Sequence, residues 1–322
     1  MKKLENLTWK PKWVSHLGCL QGCLDYLNIK VSDAWLFGAT GHAFIINIHD
    51  VVCPSGPTAW NTEKILELGG NLGCRIEKIV AFKSQPDFAE KQKLAWDKTR
   101  HAIENGIPCY GWELFIPEYY VVNGYDESGY LFNGPMSEGA RDPKAWKELG
   151  DSGIGVLEMA VVKPGRTVDD ATVIKEALQF AVEHSKNPEK WILPKYKSGL
   201  EGYDNWINAL KEKKAVGMGA AYNAAVWHEC RQHAVDFLRE AKGRIADSLH
   251  SHFDKAIKHY ETVSQNLDKV ADLFPFMTAT EEQKDAHIKD DARCEKAVAY
   301  LTSARQAERS GLETIAAIAE VL

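Results

Sequence analysis

The chain has no surplus of positive charge: 39 Lys and Arg stand against 45 Asp and Glu, a net of −6. Without a basic balance or a basic face, nucleic acid is not an expected partner. Long apolar runs are missing too. Stretches such as Ala43 to Ile46 fall far short of the roughly 20 residues of a membrane span, so no membrane partner is expected. Met1-Lys2-Lys3-Leu4-Glu5-Asn6 lacks the apolar core of a signal peptide. Cysteine is sparse and odd in number, seven in 322 residues. That argues against a disulfide framework and for reduced thiols in a cytoplasmic protein. No Gly-x-Ser-x-Gly nucleophile elbow occurs, and Gly217-Met218-Gly219 fits no phosphate-binding loop. Repeats and low-complexity tracts are also missing, and no cofactor is called for.

What remains is ordinary globular composition, 45% hydrophobic and 26% charged, in a chain long enough for two domains. Up to about residue 163, glycines, prolines and β-branched runs dominate; beyond it, helical spacing and charged faces take over. Gly18 to Leu27 reads as a helix, Gly41 to Ile48 as a strand, and Thr58 to Leu68 as a helix closed by Gly69-Gly70. Arg75 to Phe82 is an expected strand, followed by a helix that opens at Pro86 and runs to Glu104. Strands are then expected over 108–115, 119–125, 129–132 and 154–162, with Asp126 to Gly129 turning a hairpin. Clustered strands after helices predict an α+β domain over 1–165 with an antiparallel sheet.

An all-helical bundle is expected over 166–322. Thr167 with Asp170 suggests a cap for a helix ending near His184, and Thr280 with Gln283 a capping box. In the helix 220–242, Trp227, Cys230, Ala234, Phe237, Leu238 and Ala241 recur at three- and four-residue steps and predict one buried stripe. A helix is expected over 245–272, and a last one running to the end with a break near Gly311.

The stretch His16-Leu17-Gly18-Cys19-Leu20-Gln21-Gly22-Cys23-Leu24 places two cysteines four apart on one helix face. A thiol at a helix start meets unpaired N–H groups, which favours thiolate; Cys23, one turn inside, reads as a small core residue. The bland reading buries both. Two later pieces, Cys109-Tyr110-Gly111-Trp112 through Glu118-Tyr119-Tyr120 to Tyr125-Asp126, and Gly129-Tyr130-Leu131-Phe132-Asn133-Gly134-Pro135, are rich in aromatics that serve equally as sheet core or as cleft lining.

Together these pieces resemble the papain-like cysteine peptidase superfamily. They are similar to its bacteriocin-processing (double-glycine leader) peptidases and to the N-terminal domain of the butirosin-biosynthesis acyltransferase. Cys19-Leu20-Gln21-Gly22-Cys23-Leu24 resembles the nucleophile motif. Asn28-Ile29-Lys30-Val31-Ser32 and Trp35 to Phe44 resemble the stretches that follow it. Tyr119 to Asp126 resembles the body of the strand that carries the base, and Asn133 falls at the third triad position. The likeness spans about 145 residues. It implies a papain-like fold with an N-terminal helix, Cys19 as nucleophile and Asn133 as orienting group.

Two departures stand out. Glu118 sits where the family has its general-base His, and Trp13 where the peptidases have an oxyanion-hole Gln. A carboxylate is a poor base for a thiol and opposes its ionisation. Three resolutions follow: His42 or His16 supplies the base; Glu118 acts on another proton or binds an ammonium group; or a retired cleft binds something. One expectation is thus a hydrolase or acyltransferase acting on an amide or thioester through Cys19, with His42, Glu118 and Asn133 beside it. His16, Trp112, Tyr120 and Tyr125 would contact a small-molecule, peptide or acyl-carrier substrate. The other is a catalytically inactive relative that binds a small molecule or peptide in the former cleft. A metal reading of Trp227 to His233 fails for want of a second ligand cluster.

Overall fold

The computed structural model describes residues 1–137 and 142–322. In chain order the elements are β1 (Lys2–Lys3), α1 (Ser15–Tyr26), α2 (Asp33–Ala39), β2 (Asn47–His49), α3 (Glu63–Gly69), β3 (Leu72–Phe82), α4 (Phe88–Glu104), β4 (Cys109–Trp112), β5 (Tyr119–Tyr125) and β6 (Gly129–Asn133). They continue with β7 (Lys144–Ala145), β8 (Val156–Thr167), α5 (Asp170–Lys186), β9 (Tyr196–Ser198), α6 (Gly199–Lys211), α7 (Gly217–Lys242), α8 (His250–Leu273), α9 (Glu281–Lys289) and α10 (Asp291–Val321). The fold is α+β, as the clustered strands predict. The chain forms two compact units, 1–32 with 69–167, and 33–68 with 168–322. Residues 33–68, counted with the first 165 on sequence, pack within the second unit.

The first unit is built on an antiparallel sheet in the order β3-β8-β4-β5-β6-β7, with β1 added to β5. β5 covers the residues expected of it, and Tyr119 to Val122 pair with Trp112 to Cys109 of β4. β8 runs past the expected end at Val162, through Pro164 and Gly165. It can do so because β4 pairs with it only over Met159–Val161, so a proline beyond that point breaks no ladder on that side. The Lys163-Pro164-Gly165-Arg166 stretch is therefore part of the strand.

Helix α1 lies against β4, β5 and β8. Its glycines serve close approach: a Cβ on Gly18 would meet the Lys10 carbonyl oxygen at 2.3 Å, and one on Gly22 the Thr8 oxygen at 2.2 Å. Residues 7–10 strap across that bare face, and the Lys10 N–H donates to the Gly18 carbonyl at 3.2 Å.

In the second unit, α7, α8 and α10 pack together, and α2 lies on α7 with Gly38 against the Phe237 ring. The stripe expected on α7 is buried throughout. The unit is not all helix, since β2 and β9 pair antiparallel. The strand expected over Gly41–Ile48 is corrected. Gly41 takes a left-handed conformation (φ +74°), His42–Phe44 make one 3₁₀ turn, and the paired strand is Asn47–His49. Apolar residues there serve core rather than ladder, because Arg231 Nη1 satisfies the carbonyls of Ala43 and Ile45, each at 2.8 Å. Wholly buried itself, Arg231 pairs through Nε and Nη2 with Glu308 at 2.8 and 2.9 Å, and Tyr203 OH adds a bond to Glu308 at 3.1 Å.

Caps account for the remaining boundaries. Asp169, not Thr167, caps α5, its carboxylate accepting from the Thr172 N–H at 3.0 Å. The Thr280–Gln283 capping box forms as expected. The last break falls at Asp290, which caps α10, while Gly311 stays helical beneath the Tyr260 ring.

Candidate functional site

The residues to consider first surround the start of α1. The helix begins at Ser15, four residues before Cys19, and Val14 before it gives no side-chain cap. This corrects the placement of Cys19 at the helix start. The Gly18 N–H already donates to the Val14 carbonyl at 3.1 Å. The unpaired donors of the first turn therefore lie ahead of Cys19, whose own N–H is inside the ladder rather than part of an oxyanion hole.

Ser15 takes the position nearest those donors. Its hydroxyl donates to Glu118 Oε2 and accepts from the Tyr119 N–H at 3.1 Å. Because α1 has no acidic residue in its first turn, Glu118 supplies from β5's threshold the negative charge that the positive end of the helix favours. The β4–β5 loop that presents Glu118 is tight. Glu113 N–H donates to the Glu118 carbonyl at 2.8 Å, and Glu118 N–H to the Ile116 carbonyl at 2.7 Å.

His16 stacks on Tyr119, ring centroids 4.4 Å apart at 15°, and its Nε2 bonds Tyr110 OH at 3.0 Å. Trp112 meets Tyr119 edge-on at 5.0 Å. Tyr119 OH donates to Glu158 at 3.0 Å, and Lys78 Nζ reaches the same oxygen at 3.2 Å. Ser15, His16, Tyr110, Trp112, Tyr119 and Glu158 are all buried.

Cys19 is 0% exposed. Burial pushes its thiol well above the usual range, and neighbouring Cys23 and Glu118 push it further. Cys23 is raised likewise, by burial and then by Cys109 and Cys74. All seven cysteines are free.

His42 belongs to the second unit, where Nδ1 lies 3.5 Å from Cys230 Sγ and the ring faces Trp227 and Trp60. Burial lowers its pKa to about 4. Asn133 holds the strap: Oδ1 accepts from the Trp9 N–H at 2.6 Å, and Nδ2 donates to the Leu7 carbonyl at 3.4 Å. Tyr120 alternates to the opposite sheet face from Tyr119, and its hydroxyl ties Ile116 N–H to the Pro135 carbonyl. Tyr125, at the far end of β5, bonds Glu104 at 2.6 Å. Thus His16, Trp112, Glu118 and Cys19 gather within the first unit, Asn133, Tyr120 and Tyr125 of that unit do not join them, and His42 belongs to the second unit.

Ser15, Tyr110 and Glu158 escaped the sequence reading. Ser15 lies one turn before Cys19 on the same face, and Tyr110 alternates with Trp112, so both were within reach of periodicity. In the Trp227–His233 segment, Cys230 is engaged with His42; among the described residues no group of three or more His, Cys, Asp or Glu side chains could hold a metal ion. No described helix is long and apolar enough to cross a membrane. The second unit has an open groove of about 600 Å³ between α8 and α10, but the hydroxyls of Thr262, Thr302 and Ser303 along it bond back to their own helices. No protein-family model matches the chain, and no curated protein matches it.

Chemically, the gathered groups suit recognition better than nucleophilic attack. A nucleophile needs a thiolate and a base within reach. Here burial holds the thiol in its neutral form, and Glu118, bonded to the Ser15 hydroxyl, stands at the start of the helix.

Proposed function

We propose that the first unit is a noncatalytic, papain-like module that binds a small molecule or peptide, with Glu118 anchoring a cationic group of the ligand. The observation carrying this reading is the Ser15–Glu118 hydrogen bond at the start of α1, one turn from a wholly buried Cys19. It explains the departure at position 118 as a gain rather than a loss. The positive end of a helix favours a carboxylate, the Ser15 hydroxyl orients this one, and a partly buried, oriented carboxylate favours ammonium or guanidinium partners.

The test has two arms. Hydrolysis of an activated acyl thioester is measured with the full chain and with Cys19→Ser, and binding of fluorescein-tagged lysine amide with the full chain and with Glu118→Gln. Equal background hydrolysis and an affinity about tenfold lower in Glu118→Gln are expected. Cys19-dependent turnover would instead support thiol-dependent acyl chemistry, the reading that the family resemblance suggests.

A further inference from the structure

Four loops meet at the Glu118 end of the sheet in the first unit: 83–87 after β3, 113–118 between β4 and β5, 134–137 after β6, and 150–155 before β8. Strand register puts them at one edge, since Phe82 pairs with Val156, Trp112 with Tyr119, and Val121 with Asn133. Hydrogen bonds stitch them together. Lys83 N–H donates to the Gly155 carbonyl at 2.8 Å, and Ser152 Oγ to Glu113 at 2.8 Å. Tyr120 OH links Ile116 to Pro135 at 3.2 and 3.0 Å. The result is one continuous rim rather than four independent loops.

This rim exposes large apolar side chains. Phe82 is 46% exposed, Phe115 44%, Met136 70% and Ile154 51%. Single exposed apolar residues are ordinary; a contiguous set marks an interaction surface. The rim is also acidic. The described residues 83–87, 113–118, 134–137 and 150–155 carry one base, Lys83, against Asp87, Glu113, Glu118 and Asp151. Lys83 pairs with Asp151 at 2.5 Å and Lys91 of α4 with Asp87 at 3.0 Å, so these residues together with Lys91 set two positive charges against four negative, a net of −2.

We propose that this rim docks a peptide segment in which lysine or arginine alternates with apolar residues. Apolar side chains would lie on Phe115, Met136, Ile154 and Phe82, while the basic ones meet Glu113 and Glu118. The charge favours this occupant over an anionic lipid surface, which the same carboxylates repel. The docking surface rests on the Glu118 reading above and names its partner class.

Three fluorescein-labelled decapeptides test it by anisotropy on the full chain: alternating Leu-Lys, alternating Leu-Glu and alternating Ser-Lys. Leu-Lys is expected to bind, with the other two about tenfold weaker or worse. The double variant Phe115→Ser/Ile154→Ser should weaken Leu-Lys binding about fivefold or more. Leu94→Ser, an exposed apolar position on α4, should not. Equal losses in Leu94→Ser and the rim variant, no preference among peptides, or tight binding to phosphatidylglycerol vesicles in place of Leu-Lys would each overturn the proposal. Glu118→Gln separates the two readings. A loss in the rim variant but not in Glu118→Gln supports the rim and refutes the anchor; the reverse refutes the rim and keeps the anchor.

Discussion

Glu308→Ala should destabilise the second unit more than any ordinary truncation of similar size. Arg231 is 0% exposed and makes four hydrogen bonds, two to Glu308 and one each to the carbonyls of Ala43 and Ile45. Burial by itself would disfavour its charge, and Glu308 holds the guanidinium pKa above its usual value. Removing the carboxylate leaves a buried cation with half its partners, which costs about 3–5 kcal/mol. Tyr203 OH also loses its acceptor, adding about 1 kcal/mol. Arg231→Met should be costly too: it leaves Glu308 as a buried carboxylate without its cation, and two buried carbonyls lose their donor at about 1–3 kcal/mol each. Combining Arg231→Met with Glu308→Leu should not restore stability, since those carbonyls stay unpaired. Urea unfolding followed by tryptophan fluorescence, which Trp206 and Trp227 in the same unit report, measures all three. A Glu308→Ala cost below about 1 kcal/mol, or a double variant as stable as the natural chain, would refute this assignment.

Other consequences follow from burial and close approach. His42 and His184 are buried neutral, with pKa values lowered by burial to about 4 and about 3, against 6.5 for the free side chain. Between those values the unfolded chain binds protons that the folded chain does not. Stability is therefore full above about pH 6.5 and drains as pH falls towards 4, by about 3 kcal/mol for His42; His42→Asn should flatten urea midpoints across that window. Gly22→Val should lift the strap from α1, because the new side chain would meet the Thr8 carbonyl oxygen, 2.2 Å from the Cβ site. Faster tryptic cleavage after Lys12 would report it, and Asn133→Ala should act in the same direction more weakly. Thr280→Ala should cost about 1 kcal/mol by removing the α9 capping box, read as a small drop in the thermal midpoint.

How legible the molecule was depends on where its hydrogen bonds go. β5, the Thr280–Gln283 box and the α7 stripe could be read because alternation, capping and helical spacing are local signals. Gly41 to Ile48 could not, because its carbonyls are satisfied by Arg231, 186 to 188 residues away. Nothing in the apolar run itself announces that partner. The strand expected to end at Val162 runs on through Pro164 because a strand can carry a proline once one neighbour has ended. At the site, the hairpin's approach to α1 was expected from the family resemblance and not from any local signal. Where α1 begins was not: neither Ser15 nor Val14 offers a side-chain cap to its own helix, and the Glu118 carboxylate that Ser15 meets comes from 103 residues on. That shift of one helical turn moves Cys19 from a helix end into the core and changes what its thiol can do.

The most direct measurement is therefore the reactivity of that thiol in the folded chain. Iodoacetamide is applied from pH 6 to 9, followed by peptide mapping of Cys19, with a urea-unfolded sample alongside. The account predicts that Cys19 stays unmodified in the folded chain throughout and is alkylated only on unfolding. Alkylation of folded protein with a midpoint below about pH 7 would show an open, activated thiolate and contradict it.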